Sequence, residues 1–329
     1  MSSAVRPAER CNVVSELESL VVRDAVTPHA VRGDLKKCRL AVLSMDVEDW
    51  YHLDYLDKTR CDREYSLLDG LEVYAELLSS LGIAGTFFIL GELARKLTVP
   101  LQTLAARGHE IASHGWNHVR PLTLSPAVFA EDLRRSKTEI EDVIGRTVEG
   151  YRAPCFSLDR VRFDLVRAAG YKYDSSRILF KQHPLYGTLD LTGFTQWSRN
   201  IFQKEDFFEF QVSTLPLAGR DIPVSGGGYL RIFPWLLMRS WVKRYLTENE
   251  LYVHYIHPFE LSAQPAPILP QDTGWLTRFR FRFGQSRVPS RLFKLIELLK
   301  SEGFTFTTFA ELRATLVQGQ RNRAALTFL

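Results

Sequence analysis

Three acidic side chains crowd the end of an apolar run in AVLSMDVEDWYH (residues 41–52): Asp46, Glu48 and Asp49 fall within four positions. Carboxylates this close repel one another unless a proton or a cation neutralises them. A metal ion is the simplest neutraliser, and the chain must then supply further ligands. SHGWNH (residues 113–118) offers His114 and His118, four residues apart. On a helical turn, side chains at i and i+4 share a face, so two imidazoles could grip one cation. Two histidines and a carboxylate make a three-ligand site with a position left open for water. Arg152, in YRAPCF, could hold a carboxylate ionised and aimed. Pro154 would fix the turn after it and leave the Cys155 N–H free to point at a ligand. Asp174 lies in YDSS, and His257 closes the run LYVHYIHP. An unperturbed imidazole titrates near neutrality, which makes His257 a candidate acid or base. His254, three residues earlier on the same strand, points to the other face and reads as packing.

These residues need elements to deliver them. A strand is expected at 39–45. Leu67, Leu68, Leu71, Tyr74, Leu77, Leu78 and Leu81 recur at three- and four-residue steps, an amphipathic helix ended by Gly82. GTFFIL (85–90) suits a buried parallel strand. Strands follow at 109–114, 148–154 and 171–175, separated by helices at 125–144 and 159–169; Ser125 with Pro126 gives the first of these its N-cap and first-turn proline. Later strands fall at 207–212, 251–257 and 304–308, with helices at 233–246 and 290–301. Strand alternating with helix predicts βαβ units on a parallel sheet. Each early strand ends in polar residues, and that edge is where α/β folds build sites. The chain divides into an extension at 1–37, one barrel-like domain at 38–316 and a tail at 317–329.

The 329 residues carry 42 Lys and Arg against 38 acidic side chains, and a net charge of +4 argues against nucleic acid as the partner. Cys11, Cys38, Cys61 and Cys155 are scattered without CxxC spacing, so neither a disulfide framework nor a cysteine metal site is indicated. They read as free thiols in a reducing compartment. No stretch approaches the roughly 20 apolar residues of a membrane span, and no apolar h-region follows the first basic residues. The cytoplasm is the default expectation, with a peripheral position at the inner face of the membrane as the alternative. Nothing in the pattern speaks to oligomeric state.

Five motifs in order, SMDVED, SHGWNH, RAPCF, YDSS and YIHP, resemble the polysaccharide deacetylases, the NodB-homology group of carbohydrate esterase family 4. The resemblance covers roughly residues 39–310, and GTFFILG matches a family strand between the first two motifs. DVEDWYH, RAPCFS and SGGGYLRIFP are most similar to the subgroup associated with exosortase-type exopolysaccharide clusters. The resemblance implies an α/β fold, a distorted (β/α) barrel of about seven strands with C-terminal elaborations. It also implies removal of an N-acyl group from a sugar with the help of a divalent metal, zinc first, with cobalt, nickel or manganese as alternatives. Asp46 would be the general base, and His114 and His118 would bind the metal with an acidic residue of the first motif. Arg152 would orient Asp46, the Cys155 N–H would stabilise the oxyanion, and His257 would be the general acid, tuned by Asp174. The family's first motif has adjacent aspartates, whereas Val47 and Glu48 separate Asp46 from Asp49 here. Motif order favours Asp49 as the ligand, with Glu48 next; on a strand, Asp46 and Glu48 share a side. The fourth motif is also shorter than the family's.

Amide hydrolysis asks for these same parts. A bound metal lowers the pKa of water toward ~7 and polarises the carbonyl. Donors at the oxyanion are worth ~10²–10³ in rate, and a positioned acid for the leaving amine ~10²–10⁴. No nucleophile elbow is present, so covalent acyl transfer is disfavoured.

The expected substrate is an acetylated polysaccharide or its lipid-linked precursor. The alternatives are a deformylase or amidase acting on a lipid-linked sugar, and a catalytically silent carbohydrate-binding barrel. In SGGGYLR, Gly227 would let backbone approach a ligand and Tyr229 could stack on a sugar, unless the run is only a tight connection. Trp50, Tyr51 and Trp116 flank the site motifs and suit a sugar groove or simple packing. TRFRFRFG (277–284) alternates Arg278, Arg280 and Arg282 with phenylalanines, the pattern of an edge strand with one cationic face. That face is either solvated or meets an anionic substrate.

Overall fold

Residues 40–47 alternate between two environments, and this organises the sheet. Ala41, Leu43, Met45 and Val47 enter one apolar cluster, while Val42 joins another on the opposite face with Phe88, Phe208, Phe210, Val253 and Tyr255. Ser44 and Asp46, in step with Val42, therefore project toward that second face. The computed structural model describes residues 39–180 and 183–326. The expected extension at 1–37 and the last three residues of the expected tail lie outside the described residues.

The strands are β1 (Leu40–Val47), β2 (Thr86–Ile89), β3 (Glu110–Ser113), β4 (Gly150–Tyr151), β5 (Tyr173–Asp174), β6 (Thr195–Ser198), β7 (Ile201–Lys204), β8 (Phe207–Phe210), β9 (Thr214–Leu217), β10 (Arg220–Pro223), β11 (Leu251–Ile256) and β12 (Thr305–Phe306). The helices are α1 (Gly70–Ser80), α2 (Gly91–Ala94), α3 (Thr98–Ala106), α4 (Pro126–Ile144), α5 (Arg160–Ala168), α6 (Gly227–Ile232), α7 (Trp235–Glu248), α8 (Trp275–Arg282), α9 (Val288–Ser301) and α10 (Phe309–Leu326). Seven strands run parallel in the order β11-β1-β2-β3-β4-β5-β8; β7 and β6 extend that edge antiparallel, and β12 pairs with the first residues of β1. The sheet is strongly curled and open, a half-barrel. Phe309, Leu312 and Leu316 of α10 pack into the inner cluster, and α10 runs on past the boundary expected at 316.

Helix α4 begins where the sequence indicates: the Val128 N–H donates to Ser125 Oγ, Pro126 opens the helix, and Gly145 closes it at φ 66°. Its apolar stripe, Phe129, Leu133, Ile140 and Val143, is buried. Strands β4 and β5 are only two residues long, shorter than the expected runs. The antiparallel β6–β7 pair and the β9–β10 hairpin have no counterpart in the sequence reading.

The stretch expected as an edge strand at 277–284 is instead α8 and the turn after it. Of its aromatic residues only Phe281 is buried, stacked on Phe259 with ring centres 5.4 Å apart. Arg231 Nη1 donates to the carbonyls of Arg280, Phe281 and Phe283, satisfying acceptors that a helix end leaves open. A cation fifty residues away in sequence thus caps this helix. Among the described residues, no helix is long and apolar enough to cross a membrane.

Candidate active site

Register carries the key residues to one place. Val47 pairs with Ile89, Ile89 with Ser113, Ser113 with Tyr151, and Tyr151 with Asp174. One residue beyond that line lie Glu48, His114 and Arg152. On the other side of β1, Met45 pairs with Ile256, which sets Asp46 beside His257.

Arg152 is fully buried and binds with its whole fork. Nη1 donates to Asp46 Oδ1 (2.7 Å) and Ser44 Oγ (2.8 Å), Nε to the Ser175 carbonyl (3.0 Å) and Nη2 to Ser175 Oγ (2.9 Å). Its guanidinium also lies 4.1 Å from the centre of the Phe88 ring. Asp46 is therefore held in one orientation on the inner face of the half-barrel.

Glu48, His114 and His118 bring their ligand atoms within 4.8 Å of one another, and all three are buried. His118 Nε2 is 2.6 Å from Glu48 Oε2, and its Nδ1 is 3.0 Å from Asp54 Oδ2. His114 Nδ1 lies 2.8 Å from the Arg152 carbonyl. A carbonyl only accepts, so that nitrogen carries the proton and His114 Nε2 keeps its lone pair. The histidines do not share a helix: His114 follows β3 directly, and the chain turns through Gly115 at φ 79° to reach His118 at φ 58°. Glycine is the residue that adopts such a φ without cost. Two imidazoles and one carboxylate form a donor set that suits a divalent transition metal.

Burial opposes ionisation of Glu48, but the charge and hydrogen bond of His118, with His257 and His114 behind, hold its carboxyl far below the usual carboxylate range. Burial pushes His114 down to about 4, against the pull of Asp46. It also opposes protonation of His118, yet Glu48 and Asp54 raise that imidazole to about 9.

Asp49, favoured from motif order as a ligand, is elsewhere. The strand ends at Val47, where the Glu48 N–H donates back to the Asp46 carbonyl. Asp49 then caps the short turn at Trp50–His52: its Oδ1 accepts from Trp50 N and Leu67 N (both 2.9 Å), and its Oδ2 from Ser66 Oγ (2.5 Å). Two of these three bonds pin the loop at 66–67. Glu48 is the acidic residue that stands with the histidines.

His257 Nδ1 is 3.2 Å from Glu260 Oε2, and its Nε2 is 3.5 Å from Glu48 Oε1. Burial works against the charged imidazole, but the Glu260 hydrogen bond and the Glu48 charge raise its pKa. Asp174 does not touch His257. It is buried with Ser176, whose N–H and Oγ both donate to it, and beside Glu209. Glu260, absent from the sequence reading, occupies the place expected of Asp174. Its signal was the spacing HPFE, in which a histidine and a glutamate cap one short turn reciprocally. A Cβ on Gly227 would fall 2.0 Å from Glu260 Oε2, so only glycine lets α6 approach this closely. The glycine run is thus the start of a helix, entered through Gly226 at φ 96°, rather than a loop. Asp54, also unforeseen, sits between His118 and Cys155, whose Sγ is 3.1 Å from its Oδ2. Pro154 opens the tight turn, and Cys155 adopts φ 53° within it.

One cavity of about 660 Å³ reaches Asp46, Glu48, His114, His118, Cys155 and His257, and extends along Tyr55, Phe180, Tyr186, Tyr229 and Arg280. That is room for a sugar-sized ligand. Trp50 and Trp116, expected as sugar platforms, do not line it. Trp50 is fully buried with Nε1 donating to the Tyr65 carbonyl, and Trp116 packs under Arg135, 3.4 Å from its ring centre. Gly227 also stands behind the lining, which Gly228 and Tyr229 supply. His254 is buried, its Nδ1 accepting from the Gly226 N–H, in keeping with a packing role.

The fold and site define an open parallel half-barrel whose strand ends gather a held carboxylate, a two-histidine and carboxylate cluster and a glutamate-backed histidine. Residues 69–173 match the family model described as polysaccharide deacetylase, and residues 175–314 match a domain of unknown function, DUF3473. A peptidoglycan deacetylase of Helicobacter pylori is 25% identical over 107 residues, 32% of this chain and 36% of that protein. A chitin deacetylase of Pestalotiopsis is 28% identical over 106 residues, 31% of this chain and 36% of that protein. The chain thus spans about a third of the length of these curated relatives. A Mycobacterium smegmatis structure assigned as a polysaccharide deacetylase superposes with a TM-score of 0.56 at 17% identity, covering 86% of this chain and 92% of that one, and shows the shared fold. The family model and the relatives support the polysaccharide deacetylase family for this chain.

Proposed function

We propose that this protein is a metal-dependent N-deacetylase acting on an N-acetylhexosamine in a polysaccharide or its lipid-linked precursor, in exopolysaccharide or envelope-glycan synthesis. The observation that carries the reading is the convergence of Asp46, the Glu48–His114–His118 cluster and His257 on one cavity. Glu48, His114 and His118 would hold a divalent ion, zinc by donor type. When bound, such an ion supplies Lewis acidity and a lowered pKa for water. Asp46, kept in place by Arg152, takes a proton from the attacking water as oxygen bonds to the acetyl carbon. The Cys155 N–H donates to the oxygen that gains charge. His257 gives its proton to the sugar nitrogen as the C–N bond breaks, so acetate and a free amine leave. Glu260 orients His257 and favours its charged form before that transfer. Asp174 supports the strand-end network through Ser176.

The test is acetate release from N-acetylated oligosaccharides, measured with added zinc for the native protein and for Asp46→Asn. Release by the native chain alone supports the reading. Formate from a formylated lipid-linked sugar would mark a deformylase, and binding of glycan without release a silent barrel.

A further inference from the structure

The arginine–phenylalanine stretch finds no use in the chemistry above, and its folding as α8 changes what it presents. Trp275 is 77% exposed, and Leu276 and Phe279 are exposed beside it. Ile232 at the end of α6 and Leu236 and Leu237 at the start of α7 are exposed as well, Leu236 by 80%. Arg231 ties the end of α8 to α6, and Ile232, Thr277 and Arg280 line the same cavity. Two apolar segments therefore flank the entrance to the candidate site. Scattered apolar side chains on a surface are ordinary; a set this large at one opening is not.

Charge points to the partner. Residues 222–247 hold four basic side chains and no acidic one, and residues 273–296 hold six and none. With +10 in these two segments and +4 in total, the rest of the chain nets −6. Among the described residues, only Arg231 and Lys243 of the ten form ion pairs. A glycan would ask for aromatic faces, whereas Ile232, Leu236, Leu237 and Leu276 are aliphatic. Tryptophan, phenylalanine and leucine among arginines suit the headgroup region of an anionic bilayer, where apolar side chains dip in and guanidinium groups meet phosphate.

We propose that α8, the end of α6 and the start of α7 form a face that docks on the surface of an anionic lipid bilayer and brings the cavity entrance to it. This stands on surface composition and does not depend on the chemistry proposed above. The test is sedimentation with vesicles of phosphatidylcholine alone or mixed with phosphatidylglycerol. The native protein sediments with the mixed vesicles, and rising salt releases it. Leu236→Gln, Trp275→Gln and Phe279→Gln together lower the partition constant about tenfold or more. Arg239→Gln and Arg282→Gln each lower it roughly fivefold. Thermal unfolding checks that the variants fold; if the triple variant does not, Leu236→Gln and the arginine changes are read in its place. No sedimentation with the anionic vesicles, or binding unchanged in the folded variants, overturns the proposal. A concentration-dependent dimer abolished by Leu236→Gln, or retention on glycan without vesicle binding, would equally overturn it and assign the face to a second copy or to sugar.

Discussion

Replacing Glu48 and Asp49 separately by their amides tests the division of labour between neighbouring carboxylates. Asp49 accepts three hydrogen bonds in a fully buried setting. Asparagine keeps the shape and the acceptor for Trp50 and Leu67 but sets an NH2 where the Ser66 hydroxyl donates, so Asp49→Asn forfeits the charge assistance of two bonds and the third bond as it stands. Bonds to charged groups contribute ~1.5–3 kcal/mol against ~0.5–1.5 for neutral ones. Losing about 1–1.5 kcal/mol on each of the two kept bonds puts the loss at about 2–3 kcal/mol before the Ser66 contact is counted, and the melting temperature should drop by roughly 5–10 °C. Metal binding should survive. Glu48→Gln makes the opposite trade: it removes the carboxylate from the cluster with His114 and His118, and affinity should fall by more than the ~10–100-fold typical of an outer-shell partner. The assay is thermal unfolding with and without zinc, alongside zinc content after dialysis. A ligand at 100 times its Kd adds ~2.7 kcal/mol of stability. The native chain and Asp49→Asn should both gain that increment, the latter from a lower baseline, while Glu48→Gln gains little. If Asp49→Asn folds but loses the increment and Glu48→Gln keeps it, the assignment is wrong.

Arg152→Ala should cost ~3–5 kcal/mol in urea unfolding, because Asp46 is left buried without its partner. Arg152→Lys should fold better yet still lose activity in an acetate-release assay, since an ammonium cannot reproduce the fork to Asp46, Ser44 and Ser175. Gly227→Ala should push Glu260 off His257 and lower kcat for acetate release by ~10-fold or more, with zinc content unchanged; native turnover would show the contact to be idle. Burial raises Glu110 to about 7 although Tyr173, Ala310 and Thr86 donate to it. Its folded pKa lies above the unfolded one, so the folded state binds more protons between about 4.5 and 7. Stability should therefore fall as pH rises through that window and level off above it. Glu110→Gln should flatten the fall and gain up to ~2–3 kcal/mol at pH 8, less whatever the three donors lose. Parallel pH profiles for the two proteins in urea titrations would refute this.

The parallel half of the fold was legible because its elements are locally consistent. Helix α4 carries its own cap, first-turn proline, apolar stripe and terminal glycine. Strand β1 shows its two environments in the residues themselves. The region after β5 was not legible in the same way. Strands β6, β7, β9 and β10 are four residues each, too short to establish a period. The stretch at 277–284 misled because its period of two is real, but the force that decides is tertiary: Arg231 caps α8 from another element, and Phe281 alone finds the core.

For the site, residue types were legible and partners were not. Asp46, His114, Arg152 and His257 could be picked out because each stands at a strand end, where the register brings them together, and His118 because it follows His114 by four residues through the turn at Gly115. The choice between Glu48 and Asp49 depends on where the chain leaves the strand. Parity along β1 already put Glu48 on the side of Asp46, whereas motif order favoured Asp49. Parity was the sounder guide: Glu48, one residue past the end of β1, stands with the histidines near Asp46, while Asp49 is taken up in the cap of the next turn. The partner of His257 was missed for a related reason: Asp174 was chosen from the order of motifs along the chain, while Glu260 is fixed by a three-residue turn. A short-range geometric constraint sets an atom's position to within a bond length or two, but motif order only says that two residues belong to the same fold. Where the two disagree at a site, the local constraint should be weighted first.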